Sequence, residues 1–105
     1  MHAIDEQAID ACCQRFERTF RDEPYYSSGR TWNDYAPAYG YALRGFGAHE
    51  GKRFSEVESD LAQEWELVRG QSRLTWAEAR PAMAAAWRLA GMRARSEAIR
   101  RAARG

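Results

Sequence analysis

Thr31-Trp32-Asn33-Asp34-Tyr35-Ala36-Pro37-Ala38 has a partner further along the chain, Thr75-Trp76-Ala77-Glu78-Ala79-Arg80-Pro81-Ala82. Both read threonine, tryptophan, any residue, acid, two residues, proline, alanine. A threonine three residues before a carboxylate has the spacing of a capping box. The threonine oxygen accepts a backbone N–H of the first helical turn, and the acid reaches back to the threonine N–H. Ser55-Glu56-Val57-Glu58 repeats the spacing without the tryptophan. The sequence thus marks three helix starts.

The prolines complicate two of them. With threonine as the cap, each proline falls at the sixth helical position, where it removes a backbone bond and its ring meets a carbonyl one turn back, at a cost of roughly 3 kcal/mol. A helix beginning closer to the proline avoids this, because proline is tolerated in the first turn. The first copy is therefore expected to use Asp34 as its cap, with Pro37 in the first turn, and the second to start at Thr75 and bend at Pro81. Similarity between the copies fades after Ala82, which argues against a true duplication.

Working outward, residues 4–22 carry Ile4, Ala8, Ile9, Cys12, Cys13, Phe16 and Phe20 at helical steps. Pro24 ends this helix, since the residue before a proline is pushed out of the α region. A second helix runs from Tyr35 to about Ala48 with Tyr39, Leu43 and Phe46, and is broken by Gly45, Gly47 and Gly51. A third runs from Glu56 to Arg69 with Val57, Leu61, Trp65 and Val68 on one face and Gly70 after its end. A fourth runs from Trp76 to about Ala103 with Met83, Trp87, Ala90 and Ala94 on one side. No stretch alternates as a strand does. The expected fold class is all-α: residues 1–105 form a single helical domain, a compact bundle of four helices with a long C-terminal helix and a basic C-terminal segment at residues 88–105.

Phe16 and Phe20, then Ser28-Gly29, then Tyr35-Ala36-Pro37-Ala38-Tyr39-Gly40-Tyr41 resemble an uncharacterised family of small bacterial proteins. Its pattern is approximately Y-x-P-A-Y-x-Y-G followed by V-E-x-D-L and two tryptophans. Val57-Glu58-Ser59-Asp60-Leu61, Trp65, Trp76 and Trp87 are similar to that later part. The resemblance spans about residues 16–90. It implies a stress-associated role, by genomic company, and carries no assigned enzymatic activity.

Charged residues make up 30% of the chain, yet the net charge is only +1, so bulk charge argues for neither nucleic acid nor membrane. No apolar run approaches the ~18 residues of a membrane span. Together with an acidic N-terminus unlike a signal peptide, this leads to an expectation of cytoplasmic location and no membrane insertion. Lys52 is the one lysine among sixteen basic residues, a usage that suggests a GC-rich bacterial genome. The only cysteines, Cys12 and Cys13, are adjacent and are read as core residues instead of a redox pair.

No catalytic constellation, metal-ligand spacing or phosphate loop is present. His49-Glu50 is the weak candidate for a base or ligand, and His2 is the other histidine. The acids Glu56, Glu58, Asp60, Glu64 and Glu66 read as a solvated face, or else as a docking face for the basic C-terminus. No cofactor or metal is expected. The aromatic surplus instead points to binding. Tyr25, Tyr26, Tyr35 and Tyr41 are the candidate interface residues, and the expected function is non-enzymatic, through protein–protein contacts or self-association into a homo-oligomer. The alternative is a nucleic-acid accessory protein. In the last segment Arg88, Arg93, Arg95, Arg100, Arg101 and Arg104 face a single acid, Glu97, and Arg93, Arg95, Arg100, Arg101 and Arg104 are the candidate contacts.

Overall fold

A computed structural model describes residues 5–104. The expectations for Ile4 and His2 lie outside the described residues. Four helices follow one another, α1 (Glu6–Thr19), α2 (Trp32–Ala48), α3 (Phe54–Val68) and α4 (Trp76–Arg104), with a 3₁₀ turn at Phe20–Asp22 extending α1. Among the described residues there is no strand. This is the all-α bundle with a long last helix that the periodicity predicts.

The helix starts obey one rule that the sequence shows only in part. In α2, α3 and α4 the first helical residue is aromatic (Trp32, Phe54, Trp76) and the third is an acid. That acid reaches back to the N–H of the capping residue: Thr31 to Asp34 at 3.0 Å, Arg53 to Glu56 at 2.8 Å and Thr75 to Glu78 at 3.2 Å. Two expectations are corrected. Asp34 is not the cap of α2; Thr31 is, because only from one turn inside can the carboxylate turn back onto the N-terminus. The third start likewise belongs to Arg53 and Glu56, leaving Ser55 inside α3 and Glu58 free to pair elsewhere.

Both Pro37 and Pro81 therefore sit at the costly sixth position. What holds the weakened turns is a crossed pair of ion pairs. Asp34 is 3% exposed and accepts from the Arg73 backbone N–H at 2.9 Å and from its guanidinium at 2.7–3.2 Å. Glu78 in turn accepts both arms of Arg30 at 3.1 Å. Each arginine precedes one threonine–tryptophan segment and binds the acid of the other. The Arg73 loop is fastened further: Ser72 Oγ donates to the Asp34 carbonyl at 2.6 Å, and the Trp65 indole N–H donates to the Leu74 carbonyl at 3.0 Å.

The core is one cluster. α1 contributes Ile9, Cys12 and Phe16; α2 contributes Tyr35, Ala38, Tyr39, Ala42 and Leu43; α3 contributes Val57, Leu61 and Trp65. α4 adds Ala79, Ala82, Met83, Ala86, Trp87 and Ala90. α2 and α4 make the most extensive contact, allowed by the small residues on their facing sides. Gly45 and Gly47 lie inside α2 and do not break it. A Cβ at Gly45 would stand 3.4 Å from the Trp87 ring, so this glycine lets the two helices close up. The break comes at Gly51, in the left-handed region at φ +82°. Gly70, at φ +59°, follows α3 as the spacing predicts. Val68 is exposed, not on the core face, because α3 ends at it.

The Arg73 guanidinium hydrogen bonds, joined by the Thr31 and Arg73 backbone N–H groups, hold the Asp34 carboxyl well below the usual carboxylate range against the upward push of burial. A depressed acid stabilises the fold above its unfolded value near 4, and that contribution is lost as pH falls through the lower folded value. Removing the guanidinium leaves the buried carboxylate short of donors, so Arg73→Ala is expected to cost about 2 kcal/mol in urea unfolding at pH 7. Asp34→Asn should start less stable than the parent and lose less on acidification below about pH 4.

Candidate functional site

The tyrosine cluster turns out to be largely internal. Tyr35 and Tyr39 are fully buried, so Tyr35 leaves the set of candidate interface residues. Helical spacing places both on the side of α2 that faces Phe16 and Phe20: Tyr39 stacks on Phe16 at 4.1 Å and Tyr35 lies 5.4 Å from Phe20. Tyr25 and Tyr26, half-buried, fold over them from the loop after Pro24. Each hydroxyl has a partner. Tyr25 and Tyr39 share a hydrogen bond at 2.6 Å, the Ser27 N–H donates to Tyr35 Oη at 3.0 Å, and Tyr26 Oη donates to the Arg30 carbonyl at 3.2 Å. Tyr41 stands apart on α2, half-buried, donating to Glu64 of α3. Of the four expected interface residues, Tyr25, Tyr26 and Tyr35 are brought together, with Tyr35 buried beneath the other two, and Tyr41 is not among them.

The arginines of α4 divide into two groups. The buried stripe of Ala79, Ala82, Met83, Ala86 and Ala90 continues, at steps of seven and eleven, into Arg93, Glu97, Arg100, Arg101 and Arg104. The side of the helix that packs in its first half is therefore charged in its second. All residues from Ala98 to Arg104 are exposed. This projecting end gives the molecule its length, 48 Å against 28 and 22 Å, and a radius of gyration of 13.9 Å where ~13 Å is ordinary for ~100 residues.

Arg95, expected among the nucleic-acid contacts, lies instead with Arg88 on a different side of α4. An open groove of about 340 Å³ runs between the start of α3 and the middle of α4. Its floor is Phe46, Phe54 and Trp87, with both phenylalanine rings meeting Trp87 edge-on at 5.4 and 6.0 Å. The Trp87 indole N–H donates to the Lys52 carbonyl at 3.1 Å, which ties the α2–α3 turn to the floor. Lys52, Arg53, Arg88 and Arg95 rim the groove, and no carboxylate lines it. Only Arg53 has an ion-pair partner among the described residues, Glu56 at 3.7 Å. The signal in the sequence was the run Lys52-Arg53-Phe54 beside Trp87-Arg88, basic residues next to aromatics on two different elements.

The remaining candidates have structural roles. His49 ends α2, its N–H donating to the Gly45 carbonyl at 2.9 Å, and Glu50 is exposed in the turn. Cys12 is buried and Cys13 half-buried, both as free thiols, and burial pushes both up. Among the described residues no group of three or more His, Cys, Asp and Glu side chains could hold a metal ion. The acids of α3 do not receive the basic C-terminus: Glu58 pairs with Arg80 at the start of α4, Glu64 with Tyr41 and Glu66 with Arg69. No described helix is long and apolar enough to cross a membrane.

Comparison of the chain with protein-family models, curated proteins and solved structures returned no match.

Burial raises the Tyr25 hydroxyl to about 12, with its bond to Tyr39 opposing in part, and burial drives Tyr39 and Tyr41 higher still. Raised groups contribute stability that is complete below the unfolded value near 10 and is lost as pH rises through the folded one. Absorbance titration should show these phenols ionising only near pH 12 and above, together with the loss of helical circular dichroism.

Proposed function

We propose that this chain is a non-enzymatic binding protein whose working surface is the projecting basic end of α4, and that its partner there is nucleic acid. The observation that carries this reading is the change of character along one side of α4. A stripe of alanines that packs against the bundle gives way to Arg93, Arg100, Arg101 and Arg104, exposed and opposed by Glu97 alone. Packing does not require α4 to continue past Glu97. A row of guanidiniums on an exposed helix suits phosphates, which they meet through paired N–H donors. The burial of Tyr35, with Tyr25, Tyr26 and Tyr41 half-buried, leaves little open aromatic surface for a protein partner and so supports the phosphate reading.

Protein–protein contact, self-association included, is the second reading. It rests on exposed apolar side chains at Leu67, Met92 and Ile99, which are 85%, 50% and 69% accessible. The arginine-for-lysine usage supports a bacterial source for either activity, the absence of an apolar span among the described helices is compatible with a cytoplasmic setting, and the family resemblance supports a stress-related role.

Fluorescence anisotropy with a labelled single-stranded oligonucleotide tests the first reading. Affinity should fall linearly with the logarithm of salt concentration. Replacing Arg100, Arg101 and Arg104 together by serine should flatten the slope by about 2, since each phosphate contact contributes about 0.7. Binding untouched by that substitution, or insensitive to salt, would remove the proposal. Sedimentation showing a dimer that Met92→Gln and Ile99→Gln dissolve, with no oligonucleotide bound, would install the second reading in its place.

A further inference from the structure

The groove of Phe46, Phe54 and Trp87 is not explained by the proposed role of the α4 end. Its floor is aromatic, with Phe46 and Phe54 half-buried over Trp87, which is 5% exposed, and its rim concentrates four cations without one acid. Like charges held together raise the energy of the folded state unless something offsets them. Arg30, Arg44, Arg53, Arg69, Arg73 and Arg80 each have a carboxylate within reach, while the arginines of α1 and of the α4 end have none among the described residues. Among the described residues Lys52, Arg88 and Arg95 have none.

We propose that this groove binds a nucleoside di- or triphosphate, its base laid against the aromatic floor and its phosphates held by the cationic rim. Four features select that chemistry. The charge on the rim calls for a multiply charged anion, where a single carboxylate would leave most of it unanswered. Arg88 and Arg95 lie about two helical turns apart and Lys52 and Arg53 approach from the facing turn, so they meet different oxygens along a phosphate chain. The floor has no free polar atom on Trp87, whose N–H is already engaged, and so offers stacking and apolar contact. The volume of about 340 Å³ lies at the lower end of small-molecule sites, and the groove is open along its length, which suits a flat base and not an enclosed acyl chain. The two phenylalanine rings stand edge-on to Trp87 and leave one base-sized aromatic patch between them instead of a row of parallel faces. A nucleic-acid strand would want several in succession, so a mononucleotide is the better fit.

Isothermal titration calorimetry of the full chain with ADP, ATP, adenosine, pyrophosphate and dodecyl phosphate tests the site. ADP and ATP should bind saturably, with adenosine and pyrophosphate each at least about tenfold weaker, because each satisfies only the floor or only the rim. Lys52→Ser and Arg95→Ser should each weaken ADP by about tenfold while leaving the thermal midpoint unchanged or raised. ADP should also shift the Trp87 indole N–H resonance in a ¹H–¹⁵N spectrum. The Arg100, Arg101 and Arg104 triple serine variant should bind ADP as the parent does, which separates this site from the oligonucleotide surface. No saturable binding of ADP or ATP at millimolar concentration would overturn the proposal. So would binding indifferent to the joint replacement Arg88→Ser and Arg95→Ser, or dodecyl phosphate outcompeting ADP.

Discussion

Two carboxylates hold this fold together, and each does so by serving two chains of contact at once. Asp34 closes the N-terminus of α2 through the Thr31 N–H and takes the Arg73 guanidinium from the loop before α4. Glu78 closes α4 through the Thr75 N–H and takes Arg30 from the loop before α2. The constraint matters because each of these helices has a proline in its second turn, and a proline there costs about as much as one good charged hydrogen-bond set returns. A helix start weakened internally is thus secured from outside, by the other helix. This makes the two ends mutually dependent, and the α2–α4 contact that forms the centre of the core depends on both.

The aromatic residues follow from the same frame. Once Trp32 is fixed as the first residue of α2, helical spacing turns Tyr35 and Tyr39 inward toward Phe16 and Phe20. A buried phenol must find a hydrogen-bond partner, and the loop carrying Tyr25, Tyr26 and Ser27 supplies them. The loop is ordered by its hydroxyl and amide bonds as much as by its rings. The aromatic surplus is spent on the interior, and the surface chemistry that remains is that of the arginines.

Much of the architecture could be read from the residues. Periodicity found all four helices, and the end of α2 at Ala48, the glycine after α3 and the start of α4 after Thr75 fell where local rules put them. The misassignment of Asp34 has a definite cause. Proline propensity is a local rule, and it was overruled by Arg73, a residue far away in sequence. Arg53 as the cap of α3 was hidden because its side chain does no capping; only its backbone N–H takes part. The groove was legible only as two separate basic-aromatic runs for a related reason. Its rim comes from the turn after α2 and from one side of α4, and only the fold brings Lys52 beside Trp87. In the chain, Arg95 looks like one member of a basic tail with Arg93 and Arg100. Helical phase separates them.

The last turns of α4 protrude past everything the bundle buries. A segment so placed is released from the packing constraints that bind the rest of the molecule. Side chains from Ala98 to Arg104 can therefore be exchanged with little effect on the interior, so the surface of this extension and the stability of the bundle can be varied separately.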